Sequence, residues 1–181
     1  GSTVAVIGCG GVGLSVINGA FIGGAARIIA VDMLDSKLEL AKTFGATDTV
    51  NASECDAVEA VLDMTDGGVH YSFEAIGLKV AAEQAYQMLR RGGAATVIGM
   101  IPPPQTVNLL GASFLQEKRI QGSSMGSNRF RVDMPRYVEF YLQGRLHLDE
   151  LISQRIKLDQ INDAFEVLET GDIARSVIVF D

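Results

Sequence analysis

Short unbroken apolar runs alternate along this chain with stretches whose apolar residues recur at helical spacing, which predicts a parallel sheet covered by helices. Val4–Ile7 is the first run, continuous in the way of a central strand buried on both sides. A helix from about Gly11 to Ile22 follows and stops at Gly23-Gly24. Arg27–Val31 reads as a second strand. Asp35 or Ser36 is placed to cap a helix bearing Leu38, Leu40, Ala41 and Phe44, with Gly45 just past its end.

Asp48–Asn51 reads as a third strand and Glu54–Met64 as a helix bounded by Asp66-Gly67-Gly68. Val69–Phe73 is a fourth strand, followed by a helix over Leu78–Arg91 that ends at Gly92-Gly93. Ala94–Ile98 is a fifth strand, with Pro102-Pro103-Pro104 against its extension. Ser113–Glu117 reads as a helical turn and Arg119–Ser123 as a sixth strand. Two βαβαβ halves of this kind predict a doubly wound α/β fold, a six-stranded parallel sheet in the order 3-2-1-4-5-6.

The pattern changes near residue 125. Asp133 and Pro135 can open a helix that carries Tyr137, Val138, Phe140, Tyr141 and Leu142, with Gly144 after it. Leu151–Ile156 looks extended, Asp159 can cap a helix ending at Gly171, and Ser176–Phe180 forms a last strand. The expected division is a dinucleotide-binding unit over 1–124 and an α/β tail over 125–181 that belongs to another domain. A first strand starting almost at the first residue suggests a unit cut from a longer protein.

Composition narrows the function classes. The 181 residues are 48% hydrophobic and 20% charged, with a net charge of −7. That balance argues against a nucleic-acid or anionic membrane surface, either of which needs clustered Lys and Arg. No apolar run reaches the 18 to 20 or so residues that span a bilayer. Cys9 and Cys55 make neither a disulfide framework nor a C-x-x-C metal pair, and the expected setting is a reducing cytoplasm.

The chemistry sits near the start. Thr3-Val4-Ala5-Val6-Ile7 runs into Gly8-Cys9-Gly10-Gly11-Val12-Gly13, and Asp32 closes the second apolar run about twenty residues on. In such a turn the first glycine permits the tight bend, the second lets the backbone approach a diphosphate, and the third lets helix and strand pack closely. A helix N-terminus offers N–H donors and partial positive charge to the phosphates. Alone, a G-x-G-x-x-G is weak evidence and often only a strand–helix turn; between a strand and a helix, with the acid at this spacing, it becomes a nucleotide fingerprint. Asp32 is expected to hold the two hydroxyls of an adenosine ribose and to repel a 2′-phosphate, favouring NAD over NADP. Lys37 can reach the same ribose, although a solvated helix lysine fits its spacing almost as well.

Other reactive side chains read more plainly. His70 lies in a core-like strand and His147 in a polar turn, neither with a Cys or His at ligand spacing, so no metal site is expected within this chain. Cys9 reads as a small buried residue. Cys55 is near a predicted helix start, where a thiol pKa can fall, but a passive thiol is the simpler reading. The carboxylates show no acid–base pairing.

These residues resemble the coenzyme-binding, C-terminal part of zinc-type medium-chain alcohol dehydrogenases. The similarity is carried by Thr3–Gly13, Ala26–Asp32, Phe44-Gly45-Ala46, Gly67–Gly77, Ile98–Pro103, Leu142–Leu146 and Ala174–Val177. The Gly67–Gly77 run is similar to the members that include thiol-dependent formaldehyde dehydrogenases. The resemblance implies that Gly8, Gly10, Gly11, Val12 and Gly13 hold the pyrophosphate and that Asp32 and Lys37 hold the ribose. It puts Ile76 near the cofactor, and Ile98, Gly99, Met100, Ser123 and Met125 at the nicotinamide end. Arg175 would return from the tail to the pyrophosphate. It also implies an alcohol or aldehyde substrate, and a homodimer formed through the sixth strand. The family's catalytic zinc ligands and structural-zinc cysteines precede the segment matched here, so this chain alone is expected to bind NAD without turnover.

Three other readings differ in class. A short-chain reductase needs Tyr with Lys four residues on, yet Tyr71, Tyr86, Tyr137 and Tyr141 are followed there by Ala75, Arg90, Tyr141 and Arg145. A methyltransferase usually carries an acid at the end of its first strand, where this chain has Val6-Ile7. A non-catalytic NAD-sensing or dimerisation module is left open by the sequence.

Overall fold

The computed structural model describes residues 1–171 and 173–180. Its main sheet comprises β1 (Thr3–Ile7), β2 (Arg27–Asp32), β3 (Asp48–Asn51), β4 (Val69–Glu74), β5 (Leu89–Val97) and β6 (Arg119–Gly122). All pairings are parallel, in the order β3-β2-β1-β4-β5-β6, as the alternating pattern predicts. The helices are α1 (Gly11–Ile22), α2 (Asp35–Thr43), α3 (Ala57–Met64), α4 (Lys79–Gln87), α5 (Phe130–Leu142) and α6 (Ile161–Thr170). A small parallel pair, β7 (Gln154–Ile156) with β8 (Ser176–Ile178), completes the tail.

The unbroken apolar strands split between two cores because successive side chains point to opposite faces. Val4, Val6, Ile28 and Ala30 pack with Leu14, Ile17, Leu38 and Phe44 under α1 and α2. Ala5, Ile7, Ile29 and Val31 pack with Val61, Ala81, Ala85 and Leu89 under α3 and α4.

Several boundaries differ from expectation for local reasons. Asp35 does not cap α2; Leu34 precedes the helix, and the Asp35 carboxylate accepts instead from Asn51 Nδ2 at 2.8 Å. Helix α3 begins at Ala57 rather than Glu54 because Asp56 Oδ1 accepts from the Val58 and Glu59 amides, at 2.8 and 3.0 Å. Helix α4 ends at Gln87 rather than Arg91, since Leu89 pairs with Val69 and a register shift before Tyr71 takes up the additional residues. Helix α5 starts upstream of its predicted opening and encloses Pro135, its first turn closed by Arg129 N–H donating to Asp133 Oδ2 at 2.6 Å. Of the stretch expected to be extended, Leu151–Ile156, Leu151 closes a helical turn over Asp149–Leu151 while Gln154–Ile156 is strand, and Gln160, not Asp159, precedes α6. The last strand stops at Ile178 rather than Phe180.

Asn18 stitches the tail to the sheet. It is a fully buried polar residue in the otherwise apolar inner face of α1. Its Nδ2 donates to Phe44 O (3.4 Å) and Arg145 O (3.2 Å), while its Oδ1 accepts from His147 N (2.9 Å). Arg145 Nη2 also donates to Ile22 O at 3.2 Å, and Leu151 is buried in the core under α1. Burying an amide is costly unless its donors and acceptor are used; here both are.

Candidate functional site

The glycine turn joins β1 to α1 at the carboxyl ends of the strands, where the chain order reverses between β1 and its neighbours β2 and β4. Open parallel sheets bind ligands at such a point. Sterics explain the turn's composition. A Cβ on Gly13 would lie 1.7 Å from Gly8 O, so only glycine lets α1 sit this close to β1. A Cβ on Gly10 would meet nothing within 4 Å, so the space above the turn is empty. No side chain caps α1, so the N–H groups of its first turn, from Gly11 onward, have no acceptor within the helix.

Asp32, at the end of β2, organises the turn from below. Its Oδ2 accepts from Cys9 N at 2.8 Å, and its Oδ1 accepts from Met33 N at 2.8 Å and Leu34 N at 3.2 Å. The carboxylate thus ties the glycine turn to the β2–α2 connection while its negative charge stays at the rim. Cys9 is sealed beneath, and burial, helped by the nearby Asp32 charge, pushes its thiol up to about 12. That thiol stays protonated and inert at neutral pH.

Residues distant in sequence converge on this turn. Arg175 brings its guanidinium to 4.0 Å from the Cβ position of Gly11, and Ala174 O lies 3.0 Å from the same point. The Ile76 side chain presses on Gly8 from the connection just after β4. Lys37, on α2, lies with its Nζ 3.4 Å from the Cβ position of Gly171, at the C-terminal end of α6 where a cation is favourable. Val12, half exposed, shares a cavity of about 610 Å³ with Ile98, Gly126, Tyr137 and Phe140. Ile98 and Ser123 also share a groove beside it. Met100 and Met125, each 89% exposed, leave the ends of β5 and β6.

Sequence reasoning missed Glu74. It is completely buried at the end of β4, and its Oε1 accepts from Ile76 N (2.8 Å) and Gly77 N (2.6 Å). Its Oε2 accepts from Gly99 N at 3.2 Å. One carboxylate therefore locks the β4 and β5 exits together, and Gly99 sits so close that an added Cβ would fall 2.0 Å from Gly77 N. The local signal was an acid ending an otherwise uncharged strand and flanked by Gly77, but its second partner lies 25 residues away.

Among the described residues no group of three His, Cys, Asp or Glu lies together in a way that could hold a metal ion. Zinc therefore has no fitting donor set here. The glycine turn does fit a diphosphate, with vacant space over Gly10, first-turn amides and an adjacent guanidinium.

Residues 11–143 match the family model described as zinc-binding dehydrogenase. "Probable S-(hydroxymethyl)glutathione dehydrogenase 1" of Schizosaccharomyces pombe is 39% identical over 180 residues, covering 98% of this chain and 48% of that protein. An alcohol dehydrogenase zinc-binding domain protein from Burkholderia ambifaria superposes with a TM-score of 0.95 at 33% identity, covering 100% of this chain and 49% of that one. A structure from Sinorhizobium meliloti 1021, described as a zinc-binding dehydrogenase bound to NADP, gives 0.83 at 30% identity, covering 91% and 48%. The chain spans about half the length of the curated relatives it matches.

Proposed function

The chain belongs to the zinc-binding dehydrogenase family, and we propose that it is the NAD(H)-binding half of an oxidoreductase that moves hydride between NAD and an alcohol–aldehyde pair. The observation that carries this reading is the glycine turn held by Asp32, with empty space above Gly10. In it, Gly8, Gly10, Gly11, Val12 and Gly13 cradle the pyrophosphate, and Arg175 adds a forked cation beside it. Asp32 and Lys37 take the adenosine ribose. Ile76, Ile98, Gly99, Met100, Ser123 and Met125 form the nicotinamide end, with Glu74 holding two of their loops in place. Bound nicotinamide supplies the hydride acceptor or donor.

The charge on Asp32 supports NAD over NADP. A phosphate about 4 Å from a carboxylate costs on the order of 4 kcal/mol per pair of unit charges at an effective dielectric near 20, and about 1.4 kcal/mol is tenfold in affinity. The metal that activates the substrate oxygen belongs, in this reading, to the half of the relatives that this chain does not cover. Residues 1–124 act as the nucleotide unit and 125–181 as part of the partner domain. The free edge of β6 is suited to pair with a second copy. Free Cys9 and Cys55 accord with a reducing cytoplasm. No helix among the described residues is long and apolar enough to cross a membrane.

Calorimetry with NAD and NADP tests the reading on native protein and on Asp32→Asn. NAD is expected to bind at least tenfold more tightly than NADP, and the substitution to weaken NAD and narrow the gap. Equal affinities in the native chain, or a gap unchanged by Asp32→Asn, would discard the NAD assignment. The purified chain is expected to show no alcohol oxidation, with or without added zinc.

A further inference from the structure

At the end of the sheet opposite the glycine turn, His70, Arg90, Arg91 and Arg119 line a cavity of about 280 Å³ together with Tyr71 and the Gly92-Gly93 backbone. We propose that this pocket binds a compact phosphate-class anion, held by its arginines and by the imidazole of His70.

The charge pattern comes first. The protein carries a net charge of −7, yet among the described residues no acidic one lines this cavity. Among the described residues, the ion pairs engage Arg27, Lys42, Lys79, Arg129, Arg136 and His147, and none of Arg90, Arg91 or Arg119. Arg90 and Arg119 both bring guanidinium groups to this cavity, at His70 Nε2 and at Gly92 O, and these like charges repel one another without an anion between them. Arg119 is turned toward the pocket and away from the free edge of β6, since its Nη2 donates to Gly92 O at 3.4 Å.

Proton accounting at His70 is the independent observation. Its Nδ1 accepts from Thr3 N–H at 3.1 Å, and its Nε2 lies 2.9 Å from Arg90 Nη1. A neutral imidazole has one acceptor and one N–H. With Nδ1 used as the acceptor, the proton must be on Nε2, where it faces a guanidinium that can only donate. Protonating the ring gives two donors facing two donors. Opening that contact around a deprotonated oxygen removes the conflict, the oxygen accepting from both Nε2–H and Arg90. A dianion suits several guanidinium forks through charge-assisted bonds. The cavity lies just under the 300–1,000 Å³ typical of drug-sized ligands, which favours a phosphate or a small phosphomonoester.

The test follows the two imidazole Cε1–H resonances of the full chain by NMR, assigned with His147→Gln, during separate titrations with inorganic phosphate and methyl phosphate. The expected result is a saturable shift of the His70 resonance with His147 unmoved. A phosphate lodged only at the glycine turn leaves His70 where it was, and that outcome overturns the proposal. Arg90→Gln and Arg119→Gln are each expected to weaken binding about tenfold or more; unchanged affinity in both, in chains whose remaining spectrum is native, also overturns it. Uptake of either titrant supports the site, the tighter one identifying free phosphate or a monoester as the source. Uptake of neither overturns it.

Discussion

The two halves of the sheet present the same pleat to the α1 side but receive different cover. In the first half Val4, Val6, Ile28 and Ala30 lie beneath α1 and α2, each no more than 4% exposed. In the second half the residues in register with them, Tyr71 beside Val4 and Phe73 beside Val6, continue that face across Thr96. They line an apolar groove of about 500 Å³; Phe73 still packs against the core under α1 and α2, whereas Tyr71 is 46% exposed. On the opposite face both halves are covered, with Ser72 and Ala95 fully buried. A parallel sheet normally buries both faces, so this groove is a stretch of the sheet that the described residues leave bare, and the proposed half-enzyme reading seats its other half there.

The sharpest way to probe the contrast is to damage the covered side. Phe44, fully buried between α2 and the sheet, is expected to cost about 3–5 kcal/mol on substitution by alanine, read from urea unfolding. If Phe44→Ala costs under about 1 kcal/mol, the covered half is not the rigid one. Next in size is Asn18→Ala, which strands Phe44 O, Arg145 O and His147 N without their partner; a loss of about 1–3 kcal/mol is expected. Loss of stability without faster proteolysis between residues 142 and 150 would mean that Asn18 does not anchor the tail.

The thiols give a smaller, pH-dependent contrast. The folded Cys9 pKa of about 12 exceeds its ordinary 9.0, so the folded state holds that proton more tightly than the unfolded chain. Its contribution to stability is complete below pH 9.0 and drains away as pH rises toward about 12. Cys9→Ala is expected to flatten stability in that window, and iodoacetamide at pH 8 to label exposed Cys55 and spare Cys9. Smallest of all is Tyr71→Ser on the bare face. It is expected to change stability by less than about 0.5 kcal/mol while reducing self-association in light scattering. A core-sized loss there would show the groove to be internally supported after all.

Strand order, the glycine turn and Asp32 were readable from the amino acids alone because their signals are local. An apolar run of four or five residues can hardly be anything but a buried strand here, and only glycine tolerates the approach of Gly13 to Gly8 O. What residues 25 or 127 positions apart do to one another was not readable. Nothing local marks Glu74 as the partner of Gly99 from β5, or Asn18 as the partner of Arg145 and His147. The end of α4 had the same cause, since Leu89 left the helix for a partner on β4. Local pattern decides which backbone shape a segment prefers, whereas a buried polar group or a strand register is decided by whichever distant chain completes its hydrogen bonds.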